Sequence, residues 1–339
     1  MGAEAMMTIR ILIIAAALVS QGCGLIIDAV QFIRPMAADE LESICARKTL
    51  HAGIAAEPLR PFVFPAIFTD EGLRITGLDV DLVREISRAL SERCGVSVNV
   101  IVHLVHFPSL FVELSEQKID LFVSAVASNV PSPTRAGFAY SIPYFYGGGL
   151  AIITQRPEIA DRIRERVRAG PDHANHLAAQ KAALYDFLIA VQKGSGSHRY
   201  AEAQLHMDRV VLCDSLPAAF ESEDPSIDII LGKLPVLQHM VSRVRKNWQL
   251  VTFEGGKPFL LTSENYSVVM AEENYRLRWF VNDVLFELEQ SGRLAKMRRR
   301  WLEDDYAYPR RAAAEGLSFA PDNMPRQHDQ GTCRAATAR

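Results

Sequence analysis

Residues 77–126 read GLDVDLVREISRALSERCGVSVNVIVHLVHFPSLFVELSEQKIDLFVSAV, and the architecture is legible within them. Gly77 opens a helix whose Leu82, Val83, Ile86 and Leu90 share one 3.6-period face, and Gly95 closes it. Val96, Val98, Val100 and Val102 then alternate with polar or outward positions, as a half-buried strand does. Leu110, Phe111 and Leu114 form a second helical stripe. Leu121 to Val126 is almost continuously apolar, the pattern of a strand covered on both faces. With Thr49 to Ala55 as a preceding strand, the order is strand, helix, strand, helix, strand. That is half of a doubly wound α/β domain built on a mostly parallel sheet.

The rhythm breaks at Gly147-Gly148-Gly149 and resumes beyond it. Leu150 to Thr154 begins the second region, and Arg156 to Gln180 is charged and helical in character, interrupted at Gly170-Pro171. Phe187 to Val191, Val210 to Leu212 and Ile227 to Leu231 read as strands with helical stretches between them. A last apolar run, Tyr266 to Met270, leads into a long amphipathic helix from about Glu272 to Ser291 and a short one at Leu294 to Leu302. Past Pro309 apolar residues thin out, so residues 309–339 are expected to form a disordered tail.

A chain of 339 residues, 49% hydrophobic and 23% charged, can bury two cores, and its net charge of −3 gives no electrostatic case for nucleic acid. The five cysteines form no CxxC pair, and no Cys/His cluster suits a structural zinc, so neither metal nor cofactor is expected. Arg10 precedes an apolar run from Ile11 to Val19 that is too short to span a bilayer and suits a secretory signal covering residues 1–22. Ser20-Gln21-Gly22-Cys23 resembles a lipoprotein signal with Cys23 as the acylated residue. Ser20 and Gly22 equally satisfy ordinary cleavage. A periplasmic chain is expected, soluble or held to the membrane only through Cys23.

Four segments together resemble the amino-acid-type periplasmic solute-binding proteins, family 3, that serve ABC importers. Pro61-Phe62-Val63-Phe64 and Gly77-Leu78-Asp79-Val80-Asp81-Leu82 are similar to the family's P-F-x-F and G-F-D-x-D-L. Lys118-Ile119-Asp120 is similar to its G-K-x-D, and Thr134-Arg135 with Tyr140-Ser141-Ile142-Pro143-Tyr144 to its T-x-E-R and F-S-x-P-Y. Gln192-Lys193-Gly194-Ser195 is similar to its Q-x-G-[ST] turn. The resemblance, over about residues 47 to 302, implies the type II periplasmic-binding-protein fold. One lobe would hold 47–149 and 266–308, the other 150–265, joined by two crossovers around a ligand cleft. It implies a monomer that captures a small carboxylate-bearing solute, an amino acid or organic acid, for an ABC permease.

The resemblance also implies roles. Arg135 stands at the family's carboxylate clamp, where a planar fork donates two parallel hydrogen bonds. Ser128 is a neighbouring hydroxyl, and Ser195 with Gly196 would offer an anion site at a helix start. The other reading of that turn is a plain helix cap on Ser197. Leu59 stands at the family's stacking position, leaving Phe107 as the apolar wall or as a core partner of Leu110 and Phe111. After the strand ending at Leu231 the family places an aspartate for the ligand's ammonium. Here Gly232 and Lys233 follow, and a lysine in the cleft would favour organic acids over neutral or basic amino acids; a lysine facing solvent would not. In such a sheet Cys45 and Cys94 precede neighbouring strands and suit a disulfide, while Cys213 reads as a buried thiol and Cys333 as free in the tail.

The same residues admit rival functions. A cleft-based dehydratase of the cyclohexadienyl dehydratase type shares the fold and needs a general acid, for which Glu57 and Glu264 are the acids to consider. A sensor domain would need a membrane-spanning segment after the lobe, and none follows in the sequence given. His103, His106, His173 and His176 read as surface histidines, and Lys296, Arg298, Arg299 and Arg300 as a solvated helix end.

Overall fold

Chain order at the amino end follows the expected rhythm, because each helix ends where a glycine or a polar turn frees the backbone. The structure, a computed structural model, describes residues 39–130, 136–169, 181–222, 224–244, 247–319 and 332–336. Helix α1 (Glu40–Arg47) leads into β1 (Thr49–Ala55), the hairpin β2 (Ile67–Thr69) and β3 (Gly72–Ile75), and helix α2 (Leu78–Cys94). Gly77 precedes α2 at φ 143°, and a Cβ there would sit 2.0 Å from the Phe62 carbonyl oxygen, so only glycine fits this turn. Strand β4 (Asn99–Val105), helix α3 (Phe107–Ser115), β5 (Leu121–Ala127), β6 (Phe138–Tyr140) and β7 (Phe145–Gly148) complete this part of the chain. Strand β4 starts later than the valine alternation suggests, at Asn99. All seven residues of β5 are buried, as its composition requires.

The second part runs β8 (Leu150–Thr154), α4 (Pro157–Ala169), β9 (Ile189–Gln192), α5 (Gly196–Gln204), β10 (Val210–Cys213), α6 (Leu216–Glu221), β11 (Ile229–Lys233), α7 (Leu234–His239) and β12 (Gln249–Leu250). The chain then returns through β13 (Glu264–Ala271) to helices α8 (Tyr275–Gln290) and α9 (Arg293–Leu302). Two six-stranded sheets result. The first has the order β4-β1-β5-β13-β6, with β7 paired to β13, and the second β12-β8-β11-β9-β10 with β15 (Cys333–Ala335) at its far edge. Strands β1, β4 and β5 are mutually parallel, as are β9, β10 and β11, which puts their carboxyl ends on one side of each sheet.

The two acids of the Leu78–Leu82 segment face inward rather than to water. Asp79, fully buried, accepts from the Tyr144 hydroxyl at 2.7 Å and the Ala125 amide at 2.9 Å. Asp81 accepts from the Trp301 indole at 2.7 Å, pinning α9 to α2. The basic end of α9 is likewise not simply solvated: Arg300 lies 3.7 Å from Asp81, pairs with Glu315 and covers the Trp301 ring.

The expected disordered tail is ordered where it is described. Helix α10 (Arg310–Glu315) and β14 (Leu317–Phe319) extend the β2–β3 hairpin, and β15 (Cys333–Ala335) pairs antiparallel with β10. The register sets Cys333 opposite Cys213, and the two form a disulfide with Cα atoms 4.0 Å apart. The readings of a buried thiol at Cys213 and a free Cys333 therefore give way. These segments order by adding to sheet edges, which needs no apolar periodicity of their own. Cys45 and Cys94 are also joined, with Cα atoms 5.3 Å apart. Residues 1–22, Cys23, Arg135, His173 and His176 lie outside the described residues.

Candidate functional site

In open parallel sheets ligands sit beyond the carboxyl ends of the strands. Two turns meet there. From the first sheet, β1 runs into Glu57 and β4 into His106 at the start of α3. Glu57 is buried and accepts from His106 Nδ1 at 3.0 Å and from the Phe107 amide at 3.1 Å. His106 stays partly exposed, and His103 is half-buried with its Nε2 2.9 Å from His51 Nδ1. Neither is the plain surface histidine expected from the sequence.

From the second sheet, β9 runs into Lys193-Gly194-Ser195 and α5 begins at Gly196. Gly194 takes φ 73°, and a Cβ on it would lie 3.1 Å from Pro108 Cγ in α3, so the turns touch across the cleft. The cap of α5 is Ser195, not Ser197: its Oγ accepts from the His198 amide at 3.3 Å and donates to the Gln192 carbonyl at 2.7 Å. The first-turn N–H groups, Gly196 among them, are ones a helix leaves without an intrahelical acceptor. Ser195 and Gly196 follow Gly194, and Phe107 precedes Pro108, so the Gly194–Pro108 approach is the described contact between the two turns. Phe107 packs edge-on to Phe111 at 6.0 Å.

Ser128 and Lys233 are placed differently. The Ser128 hydroxyl donates to the Asn265 carbonyl at 3.2 Å and lies 2.9 Å from Ser267 Oγ, binding β5 to β13. Lys233 is largely withdrawn from solvent. Its Nζ sits 2.9 Å from Glu264 Oε2 and 4.3 Å from the Tyr266 ring centre, with the lysine side chain 17% and the glutamate 4% exposed. The uncompensated cation that favoured organic acids is neutralised inside the protein. The carboxylate comes from the returning crossover, distant in sequence, so nothing near Lys233 in the chain signals it. Glu264 also accepts from Thr262 Oγ1 at 3.3 Å. Both candidate general acids, Glu57 and Glu264, are thus engaged as hydrogen-bond acceptors.

The crossovers themselves are tightly packed. A Cβ on Gly149 would fall 2.2 Å from the Thr262 carbonyl oxygen, and one on Gly148 would fall 2.7 Å from the Tyr266 ring. Leu150 N donates to Thr262 Oγ1 at 2.8 Å, holding the two crossover segments side by side. Such a pair of strands between two sheets is the mechanical element about which a cleft opens.

Residues 58–304 match the profile of the bacterial extracellular solute-binding proteins, family 3. The chain belongs to this family. An arginine-binding periplasmic protein of Mannheimia haemolytica is 24% identical over 254 residues, covering 74% of this chain and 90% of that protein. Among solved structures, a mutant of ArgBP from T. maritima superposes with a TM-score of 0.59 at 24% identity, covering 78% of this chain and 99% of that one. An amino acid ABC transporter substrate-binding protein from Streptococcus pneumoniae, bound to L-arginine, gives 0.56 at 19%, covering 81% and 97%. An ancestral amino acid-binding protein, a precursor of cyclohexadienyl dehydratase, gives 0.59 at 21%, covering 78% and 100%. The fold is therefore the type II periplasmic-binding-protein fold, and the relatives are binding proteins rather than enzymes. No described helix of this solute-binding protein is long and apolar enough to cross a membrane.

Proposed function

We propose that this solute-binding protein is exported and captures a small amino-acid-type solute by its carboxylate between the Gly194–Gly196 turn and the Glu57–His106–Phe107 wall, delivering it to an ABC permease. The observation that carries the reading is the meeting of those two turns at the carboxyl ends of both sheets. A small charged solute sheds its water only where both walls return hydrogen bonds, and first-turn amides with a capping hydroxyl do so for an anion. With Lys233 held by Glu264, its charge no longer argues against an ammonium-bearing ligand. Arginine, for which the Mannheimia haemolytica relative is named, heads the compounds to test.

A thermal-shift screen of amino acids and organic acids on the purified protein identifies the ligand, since a compound that binds only the native state raises Tm by mass action. Calorimetry on Gly196→Pro then tests the site. Proline is accommodated at the first helical position, where space is open, and it removes only that amide donor. Loss of a hydrogen bond to a charged group, about 1.5–3 kcal/mol, weakens binding roughly ten- to hundred-fold at nearly unchanged Tm. Equal affinity in the variant would take the α5 start out of the site.

A further inference from the structure

A strand at the edge of a sheet offers unpaired amides and carbonyls, and most sheet edges of this chain are blunted. Among the described residues, the second sheet ends in the two-residue β12 and in β15, where Arg334 places a charge. At one edge of the first sheet β6 has three residues, as do β2 and β14 at the edges of the small third sheet. The remaining edge is different. Strand β4 has seven residues, NVIVHLV, with no lysine, arginine, acid or proline, and it runs beside β1 without a bulge. Burial lowers the pKa of His103, the strand's ionisable group, which favours the neutral ring. The register fixes which backbone groups stay open. Asn99 N donates to Lys48 O and Val105 O accepts from Ala56 N, so the odd positions face β1. Val100, Val102 and Leu104 therefore turn their amides and carbonyls outward, and no described group pairs with them. Ile101, between them, is 43% exposed.

We propose that β4 is a homodimer interface, where it pairs antiparallel with β4 of a second copy about a two-fold axis through Val102. A two-fold contact must be self-complementary, and this register is. Val102 meets its own counterpart, Val100 meets Leu104 of the partner subunit, and each such pair exchanges two hydrogen bonds. Every outward amide and carbonyl of both strands is then satisfied at once. A slip of one residue sets outward groups against those already bonded to β1. A slip of two leaves the groups of Val100 or of Leu104 without partners inside the strand. Val98 offers no substitute, because its amide accepts no further bond beyond Ser91 Oγ at 2.9 Å and its carbonyl already takes the Ser87 hydroxyl at 2.7 Å. On the sheet faces Ile101 lies opposite His103 of the partner subunit and Asn99 opposite the partner's Val105, so no like charges meet. The first sheets of two copies thus join into one continuous sheet, and a dimer takes the place of the monomer that the family resemblance implies.

Sedimentation velocity and hydrogen–deuterium exchange on the purified full chain test this without any ligand. At roughly 100 µM, above the micromolar dissociation constants that modest interfaces reach, the chain sediments as a dimer, and dilution returns monomers. The amides of Val100, Val102 and Leu104 exchange roughly ten-fold more slowly in the dimer than in the diluted monomer. Ile101→Lys puts at an exposed position the residue that natural edge strands use against pairing, and it leaves the ladder with β1 intact. Across the two-fold the introduced ammonium groups stand diagonally opposed, on side chains about 7–8 Å apart. The variant keeps its Tm, and its dissociation constant for dimerisation rises roughly a hundred-fold. A chain that stays monomeric at the higher concentration overturns the proposal. A dimer that Ile101→Lys leaves intact does so too, since another surface then holds it. Protection of the three amides in the monomer also overturns it, because the edge is then covered within one chain. Should Ile101→Lys fail to fold, the mass and the concentration-dependent exchange of the unmodified chain decide alone.

Discussion

Lys233→Met unfolds at markedly lower denaturant, by about 3–5 kcal/mol, because it leaves the Glu264 carboxylate buried without its counter-ion. The geometry is that of a true pair: 2.9 Å from Nζ to Oε2, a glutamate side chain 4% exposed, and the Tyr266 ring against the ammonium. Methionine keeps much of the stem's volume, so the loss reports charge rather than a cavity. Thr262 Oγ1 alone cannot satisfy a carboxylate that had an ammonium beside it. Adding Glu264→Leu to Lys233→Met recovers most of the loss, since an apolar pair of similar size often matches a buried ion pair in stability. Urea melts of the two single variants and the double variant give the coupling directly. If Lys233→Met loses less than about 1 kcal/mol, the lysine points to solvent for most of the time and the ion pair is a minor conformer.

The second large effect is a pH dependence centred on Asp79. Burial pushes its carboxyl up to about 7, against the pull of the Tyr144 and Ala125 donors and the positive charge of Lys233. Glu264 and Tyr266 complete the ionisable surroundings of this pocket, beside Lys233. The folded value lies above the unfolded one, so the native state holds the proton more tightly. Stability from this group is therefore full below about pH 4 and is lost as pH rises toward 7, by about 4 kcal/mol for a displacement of roughly three units. Asp79→Asn cannot titrate. Between pH 4 and pH 8 its stability relative to the unmodified protein improves by about that amount, as read from denaturant melts at each pH. Parallel pH profiles for the two proteins would show that Asp79 stays ionised throughout.

Asp79 and Lys233 also mark where sequence reading stopped. Gly77-Leu78-Asp79-Val80-Asp81-Leu82 was recognisable as a family segment, and the helix between Gly77 and Gly95 was readable from its apolar face. What the two aspartates do was not: their partners, Tyr144 and Trp301, are 65 and 220 residues away. The start of α5 was legible because a strand, a Gly-Ser turn and a helix are adjacent in the chain, although the cap is Ser195 rather than Ser197. From the sequence Ser128 reads as a hydroxyl neighbouring Arg135, yet its hydroxyl donates to the Asn265 carbonyl of β13.

By itself the sequence determined the alternation of strands and helices, the limits of α2, the full burial of β5 and the turn that starts α5. These follow from apolar period and from glycine and serine chemistry, which act over a few residues. Only the tertiary structure decided the pairing of Lys233 with Glu264, the disulfide between Cys213 and Cys333, and the docking of the C-terminal segment on both lobes. Those contacts depend on which strand ends converge and which sheet edges remain open, and a local pattern of residues carries no information about either.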